Sequence, residues 1–168
     1  MRIMGIDPGI AVTGYGVVER RDGRLRAVAH GVIRTDAGNS HAVRLADLRA
    51  EVGGLVARLR PEAAAIERLF FNANVKTAMA VGQASGVILA SLAEAGLQVT
   101  DYTPPQVKLA VAGSGGASKH QIQAMVSSLL GLDAPPSSPD AADALALAIA
   151  HHNRSGLALA VAAARDAR

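Results

Sequence analysis

The pattern of hydrophobic and polar positions predicts strands in the first part of the chain and helices later. Residues 2–6 are apolar on both faces, which is typical of a central buried strand, and segments 14–19 and 25–35 are predicted as two further strands. Between them, Arg20-Arg21-Asp22-Gly23 carries the signal of a hairpin turn. We therefore expect the first three strands to run antiparallel.

The rest of the chain alternates between helical and strand patterns. Helices are predicted where apolar residues recur at helical spacing: 40–60, 75–95, 119–130 and 139–152. Two short apolar segments, 63–67 and 98–102, are predicted as buried strands. The pattern indicates an α/β fold with a mixed central sheet flanked by helices. We expect one domain over residues 1–153, followed by an Ala-rich C-terminal tail over residues 154–168.

Composition excludes several classes of protein. With 50% hydrophobic and 18% charged residues, the 168-residue chain is not a disordered one. No apolar run approaches the ~20 residues that cross a bilayer, and Asp7 interrupts any signal peptide, so we expect a soluble cytoplasmic protein. The absence of cysteine excludes disulfides and thiolate metal sites, so any metal ligands are oxygen or imidazole nitrogen atoms. A net charge of +3 favours a nucleic-acid partner only weakly.

Acidic residues stand at the ends of two predicted strands. Asp7 ends the first strand before Pro8-Gly9, and Glu67 ends the strand that follows the first long helix. If these strands are parallel neighbours, their C-terminal ends share one edge of the sheet, where ligand sites of such sheets lie. Taken alone, either acid is more often a carboxylate that caps a turn.

A second pair of acids begins the last predicted helix. Asp140 and Asp143 are three residues apart and lie on one helix face. Acids in a first turn also interact favourably with the helix dipole, which is sufficient to explain the pair by itself. If both faced Asp7 and Glu67, the four carboxylates would suit two Mg²⁺ ions ~4 Å apart that activate water for phosphodiester hydrolysis.

These acids, in their order and context, resemble the RuvC family of Holliday-junction resolvases, which has the ribonuclease H-like fold. The resemblance covers about nine-tenths of the chain. It rests on these segments: Ile6-Asp7-Pro8-Gly9, Thr13-Gly14-Tyr15-Gly16, Ala65-Ile66-Glu67 with Phe70 and Asn74, Tyr102-Thr103-Pro104 with Gln106-Val107-Lys108, and Asp140-Ala141-Ala142-Asp143-Ala144-Leu145-Ala146.

The resemblance implies a homodimeric, Mg²⁺-dependent endonuclease of homologous recombination and DNA repair. Such an enzyme nicks two strands of like polarity symmetrically at a four-way DNA junction and works with the RuvA–RuvB branch-migration complex. Asp7, Glu67, Asp140 and Asp143 match the family's catalytic metal ligands, two ions per site, with Mn²⁺ as an alternative ion. Some relatives carry His where Asp140 stands.

Candidate DNA-binding residues flank these acids. Phe70 and Phe71 are two of only four aromatic residues, and adjacent side chains point to opposite sides, so one ring can enter the core while the other faces DNA. Phe70 matches the family's stacking aromatic, but the residues alone leave open which of the two rings faces DNA. Arg68 is a further candidate because it follows Glu67. Lys108 and Lys119 are two of three lysines, and both match basic residues of the family's active site. A solvated lysine is the simpler explanation for Lys119, but a bound phosphate would remove its conflict with the helix dipole.

The remaining features have structural explanations as good as functional ones. We expect His151 and His152 to cap the end of the last helix, and His30, His41 and His120 to lie on the surface. The small residues of the 75–95 helix allow close packing either on the chain's own sheet or across a two-fold interface.

Three other functions stay open at this point. Asp7-Pro8-Gly9 and the glycines after it also resemble the first phosphate loop of actin-like and sugar-kinase-like ATP-binding proteins, but those need two related halves and this chain shows no repeat. A RuvX-type nuclease acting on RNA would lack the Phe70 segment and the Lys108–Lys119 region. A non-catalytic junction-binding module would not need four converging acids.

Overall fold

The fold is a five-stranded sheet between two layers of helices. The computed structural model describes residues 1–68 and 75–166, and side chains at 1–68 and 77–155, so the predictions for Phe70, Phe71 and Asn74 lie outside it. The strands are β1 (Arg2–Asp7), β2 (Val12–Arg21), β3 (Arg24–Arg34), β4 (Ala63–Glu67) and β5 (Gln98–Tyr102). The helices are α1 (His41–Leu59), α2 (Val75–Glu94), α3 (Pro104–Ala112), α4 (Lys119–Leu130) and α5 (Pro139–Asp166).

The sheet is mixed, as the sequence predicts. Its strand order is β3-β2-β1-β4-β5, with antiparallel pairing among the first three strands and parallel pairing of β4 with both β1 and β5. The predicted hairpin turn is confirmed at Asp22-Gly23, where both residues have positive φ angles of 51° and 76°. This topology brings the C-terminal ends of β1, β4 and β5 to one edge of the sheet.

Alternate residues of β1 face the two helical layers. Met4 and Ile6 contribute to the core beneath α1 and α2, together with Leu48 and Ile88. Ile3 belongs to the opposite core, which α3, α4 and α5 cover. The period of two residues is that of a strand buried on both faces.

Local sequence explains where the helices begin and end. Ser40 caps α1 by accepting from Val43 N at 3.4 Å. At the other end, Arg60 is the C-cap in the left-handed region, just before Pro61. Helix α3 begins with a capping box, in which Thr103 and Gln106 bond reciprocally. Helix α3 was not predicted from the apolar pattern, although Thr103, Gln106 and Pro104-Pro105 are a sequence signature of a helix start.

Glycines allow α5 to lie directly on the sheet. A Cβ atom at Gly5 would collide with the carbonyl of Ala144, and one at Gly14 with the carbonyl of Asp140. A Cβ at Gly16 would come within 2.9 Å of Leu145 N. The backbone of α5 therefore contacts the backbones of β1 and β2, and this contact fixes the start of α5 beside the end of β1.

The prediction that the last helix ends at His151 and His152 is wrong. Helix α5 continues to Asp166 because the Ala-rich residues that follow extend the helix, so both histidines lie inside it. His152 is buried, and its Nε2 lies 3.0 Å from the carbonyl of Val18. The boundary predicted at residues 153 and 154 falls within this helix, and the division into domain and tail stays a prediction. His30, His41 and His120 are exposed, as expected.

Of the helices in the described ranges 1–68 and 75–166, none combines the length and the apolar character needed to cross a membrane.

Candidate active site

Asp7 and Glu67 meet at the edge of the sheet. They are the last residues of β1 and β4, and the parallel register that pairs Ile6 with Ile66 places the two acids side by side. Both side chains are partly buried, and each carboxyl group influences the pKa of the other.

Burial and crowding both favour the protonated form of this pair. Burial, followed by the neighbouring carboxyl groups of Glu67, Asp143 and Asp140, raises the pKa of Asp7 to about 8. Burial also raises the pKa of Glu67, with a further contribution from Asp143. Crowded carboxylates of this kind repel one another, and a cation bound among them would relieve the repulsion.

Asp140 and Asp143 approach the pair from the first turns of α5. The hydroxyl of Ser138 donates to Asp140 Oδ2 at 3.1 Å. Lys119 Nζ donates to Asp143 Oδ2 at 2.7 Å, and this bond raises the pKa of the lysine. The structure thus brings all four predicted acids to one region and adds Lys119 to it.

The residues fit a hard divalent cation by donor chemistry. Every candidate ligand is a carboxylate oxygen, which Mg²⁺ and Mn²⁺ prefer. In the described parts of the chain, however, no three acidic or histidine side chains stand close enough together to enclose an ion. Asp143 is turned to Lys119 and Asp140 to Ser138, so ion binding requires these side chains to exchange partners.

A cleft of about 250 Å³ opens beside the acids. Glu67 and Asp143 border it together with Lys108 of α3 and Lys119 of α4. Its remaining lining residues are apolar: Pro104, Val107, Ile122, Ala146 and Leu147. The two helices that carry the lysines each begin with a capping box, so their N-terminal turns are fixed. The cleft combines carboxylates with cations, as a phosphodiester site requires.

Arg68 lies next to Glu67 but is not among the residues that line this cleft. Its backbone N–H donates to Tyr102 O at 2.8 Å, and its exposed guanidinium stands 3.9 Å from Asp101 Oδ2. Arg68 is therefore at the sheet edge and accessible to a ligand that extends beyond the cleft.

Comparisons with known proteins agree with this geometry. The model of a family described as crossover junction endodeoxyribonuclease RuvC matches residues 3–151. A relative of that name from Moorella thermoacetica is 55% identical over 151 residues, which is 90% of each chain. Another from Chloroflexus aurantiacus is 52% identical over 90% of this chain and 92% of the relative.

Solved structures give the same result. The structure of Thermus thermophilus RuvC superimposes with a TM-score of 0.88 and 37% identity, covering 94% of this chain and 97% of that one. The same organism's RuvC in complex with Holliday junction substrate gives a TM-score of 0.86 and 35% identity, covering 94% and 96%.

Proposed function

The chain belongs to the RuvC family of crossover junction endodeoxyribonucleases, and from this premise we propose that it resolves Holliday junctions in homologous recombination and DNA repair. The reaction is hydrolysis of phosphodiester bonds, with symmetric nicks in two strands of like polarity. The observation that carries the proposal is the placing of Asp7 and Glu67 at adjacent strand ends, with Glu67 and Asp143 bordering a cleft that two lysines also line.

Asp7, Glu67, Asp140 and Asp143 are the proposed ligands of two divalent metal ions, Mg²⁺ or alternatively Mn²⁺. When bound, the ions supply an activated water and neutralise charge on the leaving oxygen. Asp7, whose pKa is raised by burial and by its acidic neighbours, binds a cation as the carboxylate and so loses its proton on binding. Asp143 has to release Lys119, whose ammonium is then available to a phosphate oxygen.

Basic and aromatic residues around the acids are the proposed DNA contacts. Lys108 and Lys119 border the cleft and suit a phosphate bound between them. Arg68 suits a more distant phosphate because it is exposed at the sheet edge. Phe70 is the proposed base-stacking residue and Phe71 its neighbour on the same segment.

We propose that the active form is a homodimer with α2 at its two-fold interface. One face of α2 carries Met79, 60% exposed, and Leu89, 36% exposed, with open space above Gly82 and Gly86. An exposed apolar strip with small residues suits close approach of the same helix from a second copy. Two equivalent sites would supply the two cuts that resolution of a junction requires.

Two further parts of the proposal rest on the family alone. They are cooperation with the RuvA–RuvB branch-migration complex and a cytoplasmic site of action, where recombining DNA is found in bacteria such as the matched relatives.

The test is cleavage of a four-way junction, a linear duplex and an RNA–DNA hybrid, each with and without Mg²⁺. We expect metal-dependent nicking of the junction only. Asp7→Asn should bind the junction within a few-fold of wild type in a gel shift and should not nick it, because an amide cannot neutralise a divalent ion. Normal nicking by this variant would refute the metal-site assignment, and preferential cleavage of the hybrid would indicate an RNA-directed nuclease.

A further inference from the structure

The loop that follows Asp7 is held by side chains from β2, from the residue just after β3 and from α1. Residues 8–11 connect β1 to β2, and Asp7 is separated from Ile10 by Pro8-Gly9 only. On one side, the hydroxyl of Thr13 donates to Gly9 O at 2.6 Å and accepts from Gly9 N at 3.3 Å. Thr13 is itself buried, so this half of the loop is anchored to β2.

The other side of the loop is held by Thr35 and Arg44. The Thr35 hydroxyl donates to Ile10 O at 2.5 Å, and Thr35 N donates to Ala11 O at 3.3 Å. Arg44, which projects from α1, donates from Nε to the Thr35 hydroxyl at 2.9 Å and from Nη2 to Ile10 O at 3.3 Å. The carbonyl of Ile10 therefore accepts two hydrogen bonds, one from Thr35 and one from Arg44. The Arg44 guanidinium connects this carbonyl to the Thr35 hydroxyl because it donates to both oxygen atoms.

The charged guanidinium of Arg44 donates to neutral acceptors, the Thr35 hydroxyl and the Ile10 carbonyl. Within the described part of the chain, no carboxylate lies within ion-pair distance of its guanidinium. Charge-assisted bonds to a carbonyl and a hydroxyl are stronger than neutral ones, and the planar guanidinium fixes the directions of both. Arg44 is also partly buried, which limits competition from water.

We propose that Arg44 and Thr35 are positioning residues for Asp7, acting through the carbonyl of Ile10. This inference rests on the proposed function of Asp7 as a metal ligand. Without the clamp, the loop would keep the Thr13 bonds and the main-chain bond from Thr35 N to Ala11 O but would lose both side-chain bonds to the Ile10 carbonyl. The carboxylate at the end of β1 would then sample orientations that do not suit catalysis.

The test compares two arginines of the same helix. Arg44→Met removes the clamp, whereas Arg49→Met removes an arginine that is 57% exposed and paired with Glu94. At saturating Mg²⁺ and junction, we expect kcat of Arg44→Met to fall at least 10-fold with KM within about two-fold, and Arg49→Met to retain wild-type kcat.

Conservative variants separate positioning from folding. Thr35→Ser keeps the hydroxyl and should retain most of the wild-type kcat. Thr35→Val lacks the hydroxyl, and its kcat should fall as that of Arg44→Met does. If Arg44→Met does not fold, the two Thr35 variants make the same comparison. A merely structural role would lower Tm without changing kcat at a temperature well below unfolding, and that result would refute the inference. If Asp7→Asn cleaves normally, the proposed function fails; if it is inactive and the clamp variants are fully active, only this inference fails.

Discussion

Replacing Asp7 with asparagine should stabilise the metal-free protein, even though it removes a proposed metal ligand. Burial and the neighbouring carboxyl groups raise the pKa of Asp7 from 3.8 to about 8 in the folded state. The folded protein thus holds this proton more tightly than the unfolded chain does. The stabilisation that this proton gives is complete at pH values below the pKa of Asp7 in the unfolded chain, and it is lost as the pH rises toward the pKa of Asp7 in the folded protein. Asparagine does not ionise, so the variant does not lose folding stability through ionisation of this side chain as the pH rises.

The size of the effect follows from the pKa difference. About four pKa units at ~1.4 kcal/mol each correspond to about 6 kcal/mol. Water reaches these partly exposed carboxyl groups and screens their repulsion, so we expect about 2–3 kcal/mol of this at pH 8. For a chain of 168 residues, this corresponds to a rise in Tm of about 5–10 °C.

The assay is thermal unfolding in EDTA at pH 5, 6, 7 and 8. The advantage of Asp7→Asn over wild type should grow across this series, and Asp133→Asn, at an exposed position, should show no such trend. Adding Mg²⁺ should then stabilise wild type more than Asp7→Asn. An equal advantage at pH 5 and pH 8, or no advantage at pH 8, would refute the reasoning.

Four further predictions concern packing, DNA contact, assembly and salt dependence. Gly5→Ala should lose more than about 3 kcal/mol of stability, because its methyl group collides with the backbone of α5. Gly54→Ala has open space around it and should gain up to about 1 kcal/mol. Equal Tm values for the two variants would contradict this prediction. Phe70→Ala should lower junction cleavage and Phe71→Ala should lower Tm; the reverse result would exchange the roles of the two rings. Sedimentation should show a dimer, and a supercoiled cruciform plasmid should yield linear product with little nicked circle; a monomer that stays monomeric on the junction would refute the two-site mechanism. Junction affinity should also fall steeply with salt.

The position of the acid pair could be predicted because its causes are local. The apolar run before Asp7 ends at Pro8-Gly9, and the short apolar segment before Glu67 has a clear end. The sequence left open whether the two strands are parallel neighbours, and the structure pairs β1 with β4 in parallel, so both acids reach one edge. The roles of these residues in metal binding come from the family resemblance and stay predictions.

Other parts of the site depend on contacts that the sequence does not show. Lys119 and Asp143 are 24 residues apart and meet only because α4 packs beside α5. Arg44 reaches the Asp7 loop from α1, and no motif indicates this. Helix α3 could have been predicted, because its capping residues Thr103 and Gln106 are local in sequence. It was not predicted because a helix of nine residues is too short to show a clear apolar period.

The backbone contact between α5 and the glycines of the sheet has a consequence for how such a chain can diverge. The gap between β1 and α5 is set by main-chain atoms, which are the same in every protein, and not by the volumes of side chains. Apolar residues elsewhere in either core can therefore grow or shrink without changing the spacing between the strand that bears Asp7 and the helix that bears Asp140 and Asp143. Sequences can drift far apart, or be redesigned for heat resistance, while the acids keep their separation, provided that these glycines remain.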